Sequence, residues 1–328
     1  MFYALAVTLC LATLFLVLTI ASVLCVPVVR LLRGRAGSLS PALAANLLFA
    51  ARLLPLGLAC LVTVGFVLPA FIEFEPNSTS EGLSARLATL AIAGALVLIA
   101  MAFRGAHILR ATYQTQMQWM ALSEPIYVHG VKIPVRQVEG RSSLLAVTGI
   151  LRPRIFIARE IVERLSAEEL AAALAHEMAH VSSFDNLKQL LLRITRPPGF
   201  LKTLTLADAA WTSASEVAAD QSALTAGATA LDLSSALVKV GRIGRPAVLL
   251  QAATASHLLP PACGTSLEAR VRRLQEALEN GPPPAGQTEL SGWQKRAFPM
   301  AVLAVLAYIL MVPALLPAIH EVLELLVR

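Results

Sequence analysis

Charge disappears from the chain in four places. Residues 2–29, 53–72, 87–103 and 297–319 contain no Asp, Glu, Lys or Arg. A helix of about twenty apolar residues crosses a bilayer core of about 30 Å, so each run predicts a transmembrane helix. The first run is too long for a signal-peptide core, and no Lys or Arg precedes it, so it reads as a span. The third is short, with Arg86 and Arg104 placed to snorkel at its ends. Pro55 and Pro69 in the second run, and Pro299, Pro313 and Pro317 in the fourth, are tolerated better in membrane helices than in soluble ones.

Between the third and fourth runs, the pattern becomes that of a water-facing domain. Residues 126–138 and 144–158 alternate β-branched and polar positions and are broken by Gly149 and Pro153, which predicts short strands. Helical periodicity follows at 167–181, 186–194, 205–224, 232–240 and 266–279. Ser166 and Glu169 form a capping box that opens the first of these helices. Residues 280–286, Asn-Gly-Pro-Pro-Pro-Ala-Gly, read as a linker. The fold class expected is an α-helical membrane protein with four transmembrane helices and one α+β domain. Residues 1–103 hold three spans, 104–296 the domain, and 297–328 the last span and a short tail.

Composition agrees. Of 328 residues 56% are hydrophobic and 15% charged, against about a quarter charged in soluble domains. The net charge of +6 does not point to nucleic acid, because many of the Lys and Arg residues flank the apolar runs. Arg30, Arg33, Arg35 and Arg52 lie between the first two runs, and Glu73, Glu75 and Glu81 between the second and third. The positive-inside rule then places 104–296 in the cytoplasm and both termini outside the inner membrane. Cys10, Cys25, Cys60 and Cys263 have no ligand or disulfide spacing and read as small apolar side chains.

The chemistry sits in His176-Glu177-Met178-Ala179-His180. Histidines four apart on a helix project from one face, where both nitrogens can reach a zinc ion. Glu177 points about 100° away, too far to share that face but close enough to contact a water at the ion. Zinc makes water more acidic, and a neighbouring carboxylate can take its proton and pass it to a leaving amine. A third ligand is needed. Glu216, with Asp220 one turn later, can supply one ligand and one partner that orients a ligand histidine. His107, His129 and His320 read as surface or interfacial residues, and His257 as a loop residue with a weaker link to the pocket.

These segments resemble the BlaR/MecR family of membrane metallopeptidases. Leu151-Arg152-Pro153-Arg154-Ile155 is similar to the strand before that family's metal helix. The run from His176 to His180, followed by Asp185-Asn186-Leu187, is similar to its helix and continuation, and Glu216 to Asp220 to its E-x-x-x-D segment. The resemblance implies a gluzincin-type domain, zinc on His176, His180 and Glu216, and Glu177 as general base. It also implies regulatory cleavage of a cytoplasmic protein such as a transcriptional repressor. Leu267 to Val271 looks like a later helix carrying a positioned Arg270. The chain departs from the family at Ser182-Ser183-Phe184, where basic residues are usual. It also lacks a Ser-x-x-Lys motif, and nine residues follow Ile319. Antibiotic sensing through an extracellular penicillin-binding domain is therefore not expected of this polypeptide alone.

Alternatives of two kinds stand beside this reading: a quality-control peptidase similar to the HtpX and CAAX-prenyl-peptidase group, and a catalytically silent membrane signalling scaffold. The expected partners are a cytoplasmic protein substrate, the lipid bilayer and a second copy of the chain, with no direct nucleic acid. Leu145 to Ile150 is β-prone and ends near Gly149; as the resemblance implies, it reads as a sheet edge on which an extended substrate segment adds as a strand, the alternative being an ordinary interior strand.

Overall fold

A computed structural model describes residues 2–74, 84–128, 131, 133–139, 144–197, 202–243, 255–257, 267–280, 308, 311 and 314–322. The first helix, α1 (Phe2–Arg35), covers the first apolar run and continues six residues past it. After a short 3-10 turn comes α2 (Pro41–Val62), followed by a π-helical turn at Thr63–Val67 and α3 (Leu68–Phe74). The next helix, α4 (Ala85–Ala121), is 37 residues long, or about 55 Å at 1.5 Å per residue. Three helical stretches, Phe2–Ser38, Pro41–Phe74 and Ala85–Ala121, are long and apolar enough to cross a membrane. The fourth predicted span lies largely outside the described residues, of which 314–322 are helical.

Two further helices run beyond the apolar runs that mark the expected spans. The second helix begins at Pro41 rather than 53, which puts Arg52 inside it and buried. Pro41 suits a first helical position, where its missing N–H has no intrahelical partner to lose. The third runs 18 residues past 103, because Arg104 and Arg110 interrupt hydrophobicity but not helix propensity.

The chain forms two compact units. One comprises Met1–Leu31, Ala50–Ala102 and Gly286–Arg328. Its core gathers Leu5, Leu9 and Ala12 of α1 with Phe71, Leu87, Ala91 and Leu316. Gly94 lets α4 approach α1 closely: a Cβ there would collide with the Leu11 carbonyl. Pro69 has no N–H to offer the Gly65 carbonyl four residues earlier, and the Tyr308 hydroxyl donates to that oxygen at 2.6 Å.

The other unit, Leu32–Phe49 with Phe103–Ala285, carries a five-stranded sheet. Its strands are β1 (Ser123–Ile126), β2 (Val135–Val138), β3 (Leu145–Thr148), β4 (Arg154–Ala158) and β5 (Ala255–His257), in the order β1-β2-β4-β3-β5. Only β2 and β4 run parallel; the other neighbouring pairs are antiparallel. Beside α4, the described residues of the unit form six further helices: α5 (Arg159–Arg164), α6 (Ala167–Ser182), α7 (Asp185–Ile194), α8 (Lys202–Thr225), α9 (Ala230–Ile243) and α10 (Leu267–Asn280). The core packs Phe156, Ile155, Ile157 and Leu145 of the sheet against Leu174, Leu237, Leu274 and Trp119. Trp119, at the far end of α4, meets the Phe156 ring edge-on at 5.3 Å.

One expectation is overturned here. Leu145 to Ile150 does not offer a free edge, because β3 pairs with β4 on one side and β5 on the other, Ala146 opposite His257. All four of its residues are buried, as befits an interior strand. The segment carrying β5 gave no strand signal, being three residues long.

Candidate metal centre

Helix α6 is fixed before its histidines are reached. The Ser166 side chain accepts from Glu169 N–H, and Glu169 accepts in return from Ser166 N–H, the reciprocal capping box the sequence predicted. Glu169 is buried and also accepts from Lys239 and Ser235 of α9, so the helix start is tied to its neighbour. Three turns on, His176, Glu177 and His180 are all buried.

The ring Nε2 atoms of His176 and His180 lie 3.2 Å apart. Glu216 of α8 faces both: Oε2 is 3.7 Å from His176 Nε2, and Oε1 is 3.6 Å from His180 Nε2. Ligand atoms bonded tetrahedrally at 2.0–2.1 Å stand about 3.4 Å from one another. The three side chains therefore fit a single small cation, and they form a group that can hold a metal. Glu216 Oε2 is buried and accepts no hydrogen bond among the described residues, its charge being faced by Arg270 Nη1 at 3.1 Å.

Each histidine is held from behind. His176 Nδ1 contacts Asp220 Oδ1 at 2.9 Å, and His180 Nδ1 contacts Asp185 Oδ2 at 2.7 Å. A carboxylate on Nδ1 keeps a proton there, so Nε2 is the nitrogen left to face the site. Asp220 holds the position read for it from sequence. Asp185 was present in the motif but had no assigned partner. It reaches His180 because Phe184, between α6 and α7, takes a left-handed conformation with φ 56°. That reverses the chain at some cost in strain and sets Asp185 at the favourable N-terminus of α7. Nearby, Asn186 donates to the Val147 and Gly149 carbonyls at 3.2 and 3.1 Å, joining α7 to the sheet.

Arg270 of α10 completes the cluster. Only 1% exposed, it donates from Nε to Asp220 Oδ2 at 2.9 Å and from Nη2 to Asp220 Oδ1. Nη1 lies 3.1 Å from Glu216 Oε2. Such a two-pronged grip on one carboxylate is a guanidinium's geometry. Resemblance had flagged this arginine only weakly. His257 lies in β5, and His107 is exposed, as expected of a surface residue.

Four buried carboxylates, Glu177, Asp185, Glu216 and Asp220, thus gather around one guanidinium and two imidazoles. Burial pushes the His176 imidazole down to about 4, with Arg270 adding to that and Asp220 opposing it. Burial would lower His180 too. Its bond to Asp185 and the charges of Glu216, Asp185 and Glu177 outweigh that and lift it to about 9. Burial raises the Glu216 carboxyl above its ordinary value against the pull of Arg270. For Asp220, Arg270 and His176 overcome burial and hold the carboxyl well below the usual range. Such an excess of buried negative charge is costly unless a cation balances it.

No curated protein matches the chain. The family described as BlaR1 peptidase M56 matches residues 73–256, a stretch holding α4, the whole of α6, and Glu216 and Asp220 of α8. That match takes in more than half of the sequence and every residue described above for the candidate metal centre except Arg270, and the chain belongs to the BlaR1 peptidase M56 family.

Proposed function

We propose that the protein is a zinc endopeptidase of the membrane that cleaves a cytoplasmic protein, with His176, His180 and Glu216 as ligands and Glu177 as general base. One observation carries this reading: both Nε2 atoms and the Glu216 carboxylate converge on one buried point, while each Nδ1 is occupied by a carboxylate. Bound zinc would supply a Lewis acid that polarises the scissile carbonyl and acidifies the attacking water. Glu177, one residue along the helix from His176, takes the proton of that water and returns it to the leaving amine. Asp185 and Asp220 hold the two rings, and Arg270 holds Asp220. A silent scaffold fits less well, since a buried charge cluster with no chemical task is readily replaced by apolar side chains. Regulatory cleavage of a repressor is carried over from the family resemblance.

Zinc uptake supplies the direct test. At pH 7 the metal-free site holds a proton on His180, whose value of about 9 lies above the ambient pH. Zinc needs that nitrogen's lone pair, so binding must release the proton and grows tighter as pH rises. Between pH 6 and 8, affinity is expected to increase about 100-fold or more, roughly tenfold per unit for each proton released. Titration calorimetry in buffers of different ionisation enthalpy counts the protons. A pH-independent affinity at about one zinc per chain would show that no proton competes with the metal at His180, and a His180→Ala chain that binds zinc as tightly as wild type would show that His180 is not a ligand.

The arginines around the first loop and before residue 297 carry the orientation. Fusions of a reporter after Arg110 and after Lys295 are expected to signal the cytoplasmic side, and fusions near Ser78 the opposite side. Reversed signals would place the domain outside.

A further inference from the structure

The contacts behind His180 do not stop at Asp185. The other oxygen of that carboxylate, Oδ1, lies 3.7 Å from Lys188 Nζ, one turn along α7. The same ammonium donates to Asn46 Oδ1 at 2.9 Å, across 142 residues of sequence. It also sits 5.8 Å from the centre of the Phe49 ring. Asn46 and Phe49 belong to the first turns of α2, the helix that begins just after the loop following the first apolar run. Phe49 in turn meets Trp211 of α8 at 6.5 Å between rings, and Ala45 and Leu48 are buried with Leu192 and Trp211. The start of α2 therefore touches both helices that shape the metal centre. One of them carries Asp185, and the other carries Glu216, five residues after Trp211.

An i,i+3 pair between an acid and a lysine on a helix is ordinarily a weak, solvent-exposed contact. This one differs. Lys188 is only 18% exposed, and its flexible stem is pinned by a carbonyl acceptor, an aromatic face and a carboxylate at once. Pinning the ammonium fixes the oxygen it faces, and that fixes the second oxygen bonded to His180.

We infer that Lys188, anchored by Asn46 of α2, is a positioning residue for His180, so that the shape of the metal centre depends on the helix entering the second membrane segment. Lys188 touches neither substrate nor metal. It acts by holding Asp185, and Asp185 sets the ring angle of His180. A displacement of α2 breaks the Asn46 contact, lets the ammonium swing and loosens the ring. The inference rests on the reading of His180 as a ligand.

The test is a double-mutant cycle on the full-length chain, with Co2+ as the probe and its visible absorption band reporting ligand geometry. Asn46→Ala is expected to weaken cobalt binding about 3–10-fold, the scale of one buried hydrogen bond, and to shift the band. Asp185→Asn is expected to weaken it about 10–100-fold. Combining the two should cost no more than Asp185→Asn alone, because the first change acts only through the second residue. Asn46→Asp keeps the acceptor and is expected to retain the wild-type band. Lys188→Met provides the same cycle from the other side should Asn46→Ala fail to fold. Additive losses in the double variants, or an unchanged affinity and band in Asn46→Ala and Lys188→Met, would overturn the inference. A wild-type chain that binds no cobalt, or a His180→Ala chain that binds it as well as wild type, would instead remove the metal reading beneath it.

Discussion

Glu177→Gln will leave the metal in place and stop hydrolysis. The side chain is fully buried between the two histidines in sequence, and glutamine matches its shape, so the change removes charge and basicity but no volume. Two effects on metal binding oppose each other. Losing a nearby negative charge weakens attraction for a cation. It also lowers the affinity of His180 for the competing proton, because Glu177 is one of the charges that hold that imidazole at about 9. Zinc affinity should therefore stay within about tenfold of wild type. The catalytic loss is one-sided, since general base catalysis contributes about 100–10,000-fold and glutamine cannot accept the proton. The drop should appear in kcat with little change in KM, as for an interaction made only in the transition state. Zinc content by elemental analysis, together with cleavage of an unfolded reporter protein, separates the two effects. Wild-type turnover in this variant would assign the base to another residue.

What the sequence disclosed about the centre, it disclosed through local regularity. His176 and His180, like Glu216 and Asp220, stand four apart on helices, and that spacing alone puts each pair on one face. Ser166 and Glu169 announced where α6 starts, and the structure contains both of the reciprocal bonds. The parts that escaped are those set by a single backbone angle or by distant packing. Asp185 is five residues from His180, a spacing that on an unbroken helix turns it well away from that ring. Only the left-handed Phe184 brings it back. A phenylalanine is not a residue from which that conformation is read. Arg270 lies 94 residues from His176, and its role depends on α10 packing on α9, a long-range fact that periodicity does not contain.

The membrane helices show the same division. Their apolar middles were legible from charge alone, while their ends were not. Arg52 looked like a loop residue because it interrupts hydrophobicity, yet it lies buried within α2. The polar half of α4 lies in the second unit, and the helix runs into it unbroken until Trp119 reaches the sheet. Strand β3 was read as an edge from its β-propensity. Propensity reports how a residue suits a pleated surface and says nothing about how many neighbours the strand has. That is why the Ala255–His257 pairing had to come from the structure.

Glu216→Ala should cost far more zinc affinity than Asp220→Asn, and the contrast separates a ligand from the group behind one. Glu216 presents its two oxygens at 3.7 and 3.6 Å from the two Nε2 atoms. Removing it leaves two ligands where a stable zinc site needs at least three. It also removes one of the two carboxylates that balance Arg270, 3.1 Å from Nη1, leaving Asp220 alone to offset a guanidinium that repels the incoming cation. Both effects act in the same direction, and an affinity loss above about 1,000-fold is expected, beyond the range of an outer partner. Asp220→Asn keeps an oxygen able to accept from His176 Nδ1, so ring and ligand stay in place at reduced basicity. Loss of an outer carboxylate of this kind ordinarily costs 10–100-fold. Competition with a chelator of known affinity measures both variants on one scale. Equal losses would mean that Glu216 and Asp220 do the same task, and a greater loss for Asp220→Asn would transfer the third ligand to the aspartate.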